Sequence, residues 1–242
     1  MNLLEVIQEF CIRTAIPKPT IVAASNDDQL LQLMGLCNEV IEDLVMRPTW
    51  KGLTIEATFT SVATERQGLM TALAPYGFNY VLDDTMWNRN TKRPIYGPRS
   101  PQQEQYMKAM PFAGPLTTYR IQQGALMFYP LAVAGQTIAF EYASNYAIQD
   151  GVTTTAYKKF FEADTDIWIL DESLLLKGLR WAWKKEKGLA YAEDFRAYEN
   201  YVNQSIAHDG TKPNLNFNGR SANSTVPVRP GVYVPAGSWS LP

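Results

Sequence analysis

The spacing of apolar residues changes twice along this chain, and that change restricts the fold more than any other feature. Over residues 2–14, and from the capping residues 25–27 to about Met46, apolar side chains recur at the spacing of helices with one buried face. From Leu53 to Thr60, apolar and polar residues alternate, as in a half-buried strand. Helical spacing returns after residue 156. The pattern predicts an α+β fold in which helices from both ends of the chain form one bundle.

The same pattern divides the chain into parts. Three parts are expected: a helical bundle, 1–48 and 157–208; an inserted, mainly antiparallel β-rich region, 49–156; and an extended C-terminal arm, 209–242. One short helix is expected inside the insertion, because Ser100 can cap it and Gln103 completes a capping box. The bundle is thus predicted from segments that are distant in the sequence.

The segment Asp209–Pro242 is rich in Gly, Pro, Asn and Ser, which is typical of chains that do not form a core alone. It also carries aromatic and β-branched residues at intervals, and aromatic side chains commonly anchor protein interfaces. A tail without a role is the alternative, but such tails are usually poor in aromatic residues. We therefore predict an arm that becomes ordered on a partner surface, with these anchors: Phe217, Val226, Val228, Tyr233 and Trp239.

Composition argues against several classes of protein. The 242 residues carry a formal net charge of −2, whereas a dedicated nucleic-acid-binding protein usually has a strongly basic face. Glu5 lies near the start, no basic segment precedes it, and no apolar run reaches membrane-spanning length, so neither a signal peptide nor a membrane contact is expected. Cys11 and Cys37 lie on apolar helical faces, which indicates free thiols. No metal-ligand spacing or glycine-rich nucleotide loop occurs, and no cofactor is expected.

A basic segment in the middle of the chain is a candidate contact surface. Residues 87–94 read WNRNTKRP, which suits a polar hairpin tip between two strands and presents Arg89, Lys92 and Arg93. We predict that these cations contact a neighbouring subunit or another partner protein, and that complementary charges would determine how the two surfaces align. The alternative is that the aromatic and basic residues hold single-stranded nucleic acid by stacking and charge.

The acidic cluster in residues 162–172 is the predicted counterpart of these cations. Asp164 and Asp166 are assigned to the same contact between subunits or with a partner protein. A second interpretation is that Asp164, Asp166 and Asp171 satisfy free backbone N–H groups before the helix that follows them. Both interpretations are structural, and neither requires a metal ion.

Carboxylates are the remaining side chains in this sequence that could act as catalytic groups. Asp83–Asp84 and the run Asp164, Asp166, Asp171 and Glu172 could supply the acid and base of a cell-wall glycan hydrolase, or the ligands of a hard metal ion. The single histidine, His208, has no Ser or Cys partner suggested by a motif. We therefore expect no catalytic residue, with the glycan hydrolase and the nucleic-acid-binding module as alternatives.

Five longer stretches of the sequence form a recognisable overall pattern: LLEVIQEFC, SNDDQLLQLMGLCNEVIEDLVMRPTW, LTIEATFT, WNRNTKRPIYGP and FEADTDIWILDESLLLKGLRWAWKKEKGLAYAEDFRAYENYVNQ. This pattern resembles the head-to-tail adaptor, or head-completion, proteins of short-tailed phages. The resemblance covers most of residues 1–210 and identifies a family by overall pattern, without a catalytic signature. It makes the portal the expected partner of the arm, and the tail protein the alternative to a neighbouring subunit as the contact of Arg89, Lys92, Arg93, Asp164 and Asp166.

The resemblance implies a non-enzymatic virion protein that forms a homo-oligomeric ring, taken as dodecameric, beneath the portal protein. The C-terminal arm would reach up to the portal, and the opposite side would receive the tail tube or nozzle protein. Double-stranded DNA would only pass through the lumen of the ring. Such a protein is assembled in the host cytoplasm, lies at the head–tail interface of the virion and helps to retain the packaged DNA.

Overall fold

Helices and antiparallel strands occur in turn along the chain in a computed structural model, which describes residues 1–47, 49–109 and 116–210. The mixed α+β class expected from the sequence is confirmed. The helices of the described residues are α1 (Leu3–Thr14), α2 (Asp28–Met46), α3 (Met70–Leu73), α4 (Pro101–Ala109), α5 (Glu172–Glu186) and α6 (Ala192–Asp209). The strands are β1 (Thr54–Thr60), β2 (Arg66–Leu69), β3 (Tyr80–Val81), β4 (Trp87–Asn88), β5 (Arg93–Pro94), β6 (Thr118–Gln122), β7 (Ala125–Tyr129), β8 (Thr137–Ala143), β9 (Ile148–Gln149), β10 (Tyr157–Lys158) and β11 (Ile167–Trp168).

Four helices, α1, α2, α5 and α6, bury apolar side chains in one core. The apolar face predicted for the first helix is confirmed, since Leu3 and Phe10 of α1 are buried there. Asn2 begins this helix with a capping box, in which its side chain accepts the backbone N–H of Glu5 at 2.8 Å. Phe10 packs edge-to-face on Trp183 of α5, with ring centroids 5.8 Å apart. Helices near the two ends of the described chain therefore share one hydrophobic core.

Helix α5 begins at a capping aspartate, as the sequence predicts, and ends at a glycine. The Asp171 side chain accepts the backbone N–H of Ser173 at 2.9 Å and so satisfies a free donor of the first turn. At the other end, Gly188 has a φ of 66° and donates its N–H to the carbonyl of Lys185 at 3.1 Å. Glycine adopts this left-handed conformation without a steric cost, so the helix ends there.

Strand β8 organises the β-rich region because it is paired along both of its edges. On one edge it runs antiparallel to β1 over the full length of both strands. On the other edge it pairs with β3 and with β4, and β4 pairs in turn with β5. A second sheet has the order β2-β7-β6. The two sheets bury a second core, which includes Phe128, Phe140 and Tyr142.

The third sheet, in the order β10-β9-β11, packs with the helices. Ile148 of β9 and Trp168 of β11 are buried in the same core as the four helices. Trp168 also donates its backbone N–H to the carbonyl of Met1 at 3.1 Å, which ties the start of the chain to this sheet. The sequence pattern placed residues up to 156 in the insertion, whereas the side chain of Ile148 belongs to the helical core. Strands of two residues are too short to show an alternation in the sequence.

Buried hydrogen bonds join the β-rich region to the helices. The Trp50 indole donates its Nε1–H to the carbonyl of Leu44, the third residue from the end of α2, at 2.9 Å. Ser144, at the end of β8, donates its backbone N–H to the carbonyl of Leu53 at 2.8 Å and its hydroxyl to that of Tyr76 at 2.6 Å. Leaving such buried groups unpaired would cost about 1–3 kcal/mol each, so these bonds fix where the β-rich region leaves the helices.

Candidate functional site

The predicted hairpin is present, and its tip is held in one conformation. Asn88 of β4 pairs with Arg93 of β5. The Asn88 side-chain carbonyl accepts the backbone N–H groups of Asn90 and Thr91, at 3.1 and 3.0 Å, which forms a local turn. Lys92 adopts a φ of 55°, the left-handed conformation that reverses the chain. The tip is therefore an ordered turn rather than a loose loop.

The hairpin is also fixed to the central strand β8. The Asn90 side-chain carbonyl accepts the backbone N–H of Thr137 at 2.7 Å, and Arg89 donates its backbone N–H to the carbonyl of Thr137 at 2.9 Å. The Asn88 side-chain amide donates to Oε1 of Gln136 at 2.5 Å. These bonds fix the hairpin, and with it the backbone of its basic residues, relative to β8.

The three predicted cations are not equivalent. The Arg89 guanidinium forms an ion pair with Glu56 of β1, and both side chains are about half exposed. Such a pair contributes little to stability in water. Lys92 and Arg93 are exposed, and no carboxylate of the described residues forms an ion pair with either of them. Two cations are therefore free, within this part of the chain, to meet an acidic group on another molecule.

Exposed apolar side chains lie beside the hairpin, and the sequence pattern did not indicate them. Leu131 and Val133 are 60% and 66% exposed, and Leu116 is exposed as well. Together with Thr91 and Arg93 they line a cavity of about 140 Å³. In the sequence Leu131 and Val133 belong to the short apolar stretch LAVA, which by pattern would be expected to be buried, so their exposure was not indicated. We call residues 89–93 with Leu116, Leu131 and Val133 the hairpin surface.

Asp166 of the acidic cluster lies inside the subunit, which differs from the contact predicted for it. The side chain is buried, and one carboxylate oxygen accepts the backbone N–H groups of Glu162 and Ala163 at 2.9 and 2.8 Å. The other oxygen is 3.1 Å from the ammonium of Lys158. With all these bonds made within the chain, the carboxylate has no exposed surface for another subunit. Asp166 orders the loop before β11 instead.

Asp164 is also used within the chain. Its carboxylate accepts the backbone N–H of Ala23 at 2.8 Å and that of Val22 at 3.1 and 3.2 Å. Asp164 and Asp166 thus satisfy free backbone N–H groups of loops, whereas the prediction assigned them to the helix that follows; for these two residues the predicted helix capping is wrong. At Asp171 the acceptor is a helix cap, as predicted. The side chains of Asp164 and Asp171 remain partly exposed or exposed.

Lys158 neutralises part of the acidic cluster. Its ammonium lies 2.7 Å from a carboxylate oxygen of Asp150 and 3.7 Å from one of Glu162. The hydrogen bond from Lys158, with backbone N–H bonds from Thr153 and Val152, lowers the pKa of Asp150 to about 2. The same bond to Asp150 raises the pKa of Lys158 above its ordinary value. The cluster is a connected ion network and not an unpaired acidic patch.

Asp171 and Glu172, two of the carboxylates suggested for hydrolysis, make bonds within the fold. Besides capping α5, Asp171 accepts the hydroxyl of Tyr201 at 2.5 Å. Glu172 accepts from the amino group of Met1 at 2.8 Å. His208 and Ser205 line a cleft of about 520 Å³ with Asp171, but no hydrogen bond of the described residues joins the three. A nucleophile, a base and its orienting acid need such bonds to act together.

The predicted arm lies mostly outside the described residues. Phe217, Val226, Val228, Tyr233 and Trp239 all fall there, and their anchoring role stays a prediction. Asp209, the first residue of the predicted arm, is the last residue of α6. Its carboxylate accepts the backbone N–H of Lys51 at 2.7 Å, so the folded body extends at least to Asp209.

The described part of the chain lacks two further features, a metal site and a membrane-spanning helix. It contains no group of three or more His, Cys, Asp or Glu residues placed to hold a metal ion. Among its helices, none combines the length and the apolar character that a membrane crossing requires. In comparisons with protein-family models and with curated proteins, the chain matches none.

Proposed function

We propose that this protein is a head-to-tail adaptor of a phage virion, which joins the portal to the tail and helps to retain packaged DNA. The main evidence for the proposal is the hairpin surface. There, free cations lie on a turn that hydrogen bonds hold in place, beside exposed apolar side chains. Exposed apolar groups beside arginine are typical of surfaces that bind other proteins. The resemblance to phage adaptors supplies the identity of those partners.

In this proposal, copies of the chain form a homo-oligomeric ring. The four helices act as a bundle that makes the body of the ring, and the hairpin surface contacts the next subunit or the tail protein. Such a head-to-tail contact closes into a ring only when its rotation permits. Residues 211–242 act as an extended arm that reaches the portal. Many weak contacts, repeated around the ring, would together give a stable joint.

The hairpin surface favours a protein partner over single-stranded nucleic acid. Bases are held chiefly by stacking on aromatic side chains. Here the side chains that border the cavity beside Arg93 are the aliphatic Leu116, Leu131 and Val133. The aromatic residue of the segment, Trp87, is paired in β4 and only partly exposed. We therefore assign the cations to an acidic protein surface.

A triple variant tests this assignment. Lys92→Gln, Arg93→Gln and Val133→Ser together remove two free cations and one exposed apolar group. Because all three side chains are exposed, we expect the free energy of unfolding to change by less than about 1 kcal/mol. Ring assembly with the portal protein of the same genome, followed by analytical ultracentrifugation, should weaken at least about tenfold, or about 1.4 kcal/mol.

The matched control makes the same chemical changes elsewhere: Lys18→Gln, Arg196→Gln and Val152→Ser, all at exposed positions. This control should assemble like the natural protein. Equal assembly of both variants would contradict the role of the hairpin surface. Salt-dependent binding of single-stranded DNA that only the hairpin variant loses would favour the nucleic-acid alternative.

A further inference from the structure

A cleft of about 520 Å³ lies where α6 passes the start of α5 and the turn that precedes β1. Leu170 and Tyr201 are partly exposed in its lining, and Gly52, which has no side chain, is exposed there. Trp50 and Leu174 also line it but are almost fully buried. A volume of this size is in the range of pockets that bind ligands. The cleft therefore has room for side chains that no described residue supplies.

Helix α6 lines this cleft with one of its faces. The lining residues recur at helical spacing: Tyr201, Gln204, Ser205, His208 and Asp209. The side chains of Gln204, Ser205 and His208 form no hydrogen bond with another described residue. Eight residue steps along a helix measure about 12 Å, which is the length of α6 that borders the cleft. This face of α6 is open to a segment that the described residues do not include.

The chain leaves α6 at the rim of the cleft. Asp209 lines it, and its carboxylate accepts the backbone N–H of Lys51 at 2.7 Å, which fixes the end of the helix. Gly210 then adopts an extended conformation, with φ −60° and ψ 150°. Residues 211–242 continue from this point. The residues directly after Gly210 therefore start next to the cleft and do not have to cross the body to reach it.

Residues 212–217 read KPNLNF, in which polar and apolar residues alternate. Such alternation predicts a half-buried extended segment, with Pro213, Leu215 and Phe217 on one side. Pro213 also favours an extended conformation at Lys212. Because an extended chain advances about 3.3 Å per residue, about four residues cover the roughly 12 Å of α6 that border the cleft. The pattern and the length of this segment both fit the cleft.

We propose that residues 212–217 of the same chain lie across this cleft, antiparallel to α6. Leu215 and Phe217 then pack on the partly exposed apolar side chains of the lining, and the burial of these two large groups is the driving force. Since the segment is joined to the cleft, its effective concentration is on the order of 1 mM or more, so a weak contact is enough to hold it.

Charge does not oppose this docking. The carboxylates of Asp171 and Asp209 are among the groups that line the cleft, and no lysine or arginine lines it. Residues 211–242 contain Lys212 and two arginines, and they contain no Asp or Glu. The segment therefore brings no like charge to the acidic rim.

The docked segment fixes where the rest of the arm leaves the body. Phe217, predicted from the sequence as an anchor on a partner, is assigned here to the body of its own subunit, and residues 218–242 stay available to a partner. The inference does not depend on the adaptor proposal, since it rests on the cleft and on the chain that follows α6.

The test is NMR of the full-length protein with ¹³C-labelled leucine methyl groups and aromatic rings. We expect nuclear Overhauser contacts between the Leu215 methyl groups and the Tyr201 ring, and between the Phe217 ring and the Leu170 methyl groups. A mixture of labelled and unlabelled protein shows whether these contacts lie within one chain. Contacts only between chains would mean that the arm of a second copy fills the cleft, and would overturn the assignment to the same chain. Absence of both contacts would overturn the docking itself.

A double variant of the full-length protein checks which residues fill the cleft. Leu215→Ser with Phe217→Ser should weaken docking at least about tenfold, because two buried apolar side chains are lost, and the backbone N–H signal of Gly52 should then shift. The control, Val232→Ser with Leu241→Ser, removes apolar groups farther along the arm and should leave this signal in place. Equal shifts in the two variants would contradict the assignment to residues 212–217.

A second pair of variants blocks the cleft from the side of α6. Ser205→Trp places a large side chain in the cleft and should release the segment, so that the Leu215 methyl signals move to the positions of a free chain. Asn203→Trp is the control, because Asn203 is exposed and does not line the cleft. If Ser205→Trp leaves the Leu215 signals unchanged, the segment does not lie in the cleft.

Discussion

Glu104 shows how one buried residue holds the β-rich region together. It lies on α4, is fully buried, and pairs with Lys108 of the same helix and with Arg120 of β6. Burial acts to raise the pKa of Glu104, but the hydrogen bonds from Arg120 and Lys108 outweigh it, and the pKa is lowered. The carboxylate is therefore ionised at neutral pH and fastens α4 to the sheet β2-β7-β6.

Replacing this carboxylate should be costly. In Glu104→Gln the cation of Arg120 loses its charged partner and Lys108 keeps only Glu65, and breaking a buried pair typically costs about 3–5 kcal/mol. We expect the free energy of unfolding at pH 7, measured with urea, to fall by about that amount. Glu193→Gln is the control, because Glu193 is exposed and should change stability by less than about 0.5 kcal/mol. Equal values for the two variants would contradict the role of the buried pair.

Asp150 gives a prediction of pH dependence. Its pKa is about 2 in the folded chain and about 4 in an unfolded one. A lowered pKa stabilises the fold above the unfolded value, and the contribution is lost as the pH falls through the folded value. Asp150→Asn should therefore be less stable than the natural protein near neutral pH, and the difference should shrink as the pH falls from about 4 to about 2.

Urea unfolding at a series of pH values measures this difference. Asp84→Asn serves as the control, since Asp84 is exposed in a turn with a φ of 58°, a conformation that asparagine also adopts. A difference for Asp150→Asn that stays constant across the acid range would show that Lys158 does not lower the pKa of Asp150.

At the scale of elements, the long helices could be predicted from the sequence, whereas the three strands of the third sheet could not. Helices α2 and α5 carry a repeated apolar face, and Asp27 and Asp171 mark their starts, so local sequence contains the whole signal. The hairpin of β4 and β5 was also predictable, because its turn residues are local. Strands β9 to β11 depend on contacts between Ile148, Trp168 and Met1, which no local pattern reveals.

The residues discussed as candidate sites also differ in whether the local sequence indicates them. Arg89, Lys92 and Arg93 were recognised because three cations stand close together in the sequence. The apolar half of the hairpin surface comes from a distant segment, and only β8 brings it beside the tip. The burial of Arg99 was not predicted, because in the sequence it looks like an ordinary surface arginine. Its burial arises from Tyr119 and Tyr129, which lie on later strands.

Two glycines in helices give a paired test of how α5 packs. At Gly178 of α5, an added Cβ would overlap Val40 of α2 and approach Tyr198 of α6 to 3.2 Å. We expect Gly178→Ala to lower the free energy of unfolding by about 1–3 kcal/mol through overpacking, despite the better helix propensity of alanine. At the exposed Gly35 of α2, an added Cβ would meet nothing within 4 Å.

Gly35→Ala should therefore raise the free energy of unfolding by about 0.5–1 kcal/mol, because only the helix propensity changes. Both values can be measured by denaturant unfolding. If both substitutions stabilised the protein, α5 would not pack as closely on α2 and α6 as described.

At the scale of the whole molecule, two hydrophobic cores are joined into one body whose described residues end at Gly210. The first core belongs to the helices and the third sheet, and the second lies between the two larger sheets. The amino group of Met1 is bound to Glu172, and Asp209 is bound to Lys51. Both ends of the described chain are thus tied to the helical part.

This arrangement predicts how far the chain can be shortened. A version that ends at Gly210 keeps both cores and should unfold with a free energy within about 1 kcal/mol of the full chain. A version that ends at Ala207 also loses the bond between Asp209 and Lys51, and should be less stable by about 1 kcal/mol. Circular dichroism during urea unfolding compares the versions. Loss of the whole fold at Gly210 would mean that residues 211–242 belong to a core.

The most direct test of the adaptor function is the mass of the complex formed with the purified portal protein of the same genome. Full-length protein and the version that ends at Gly210 would each be mixed with the portal, and the masses measured by native mass spectrometry. We expect one copy of the full-length protein per portal subunit, and no stable complex for the shortened version. If neither version binds the portal while both remain folded, the adaptor function is contradicted.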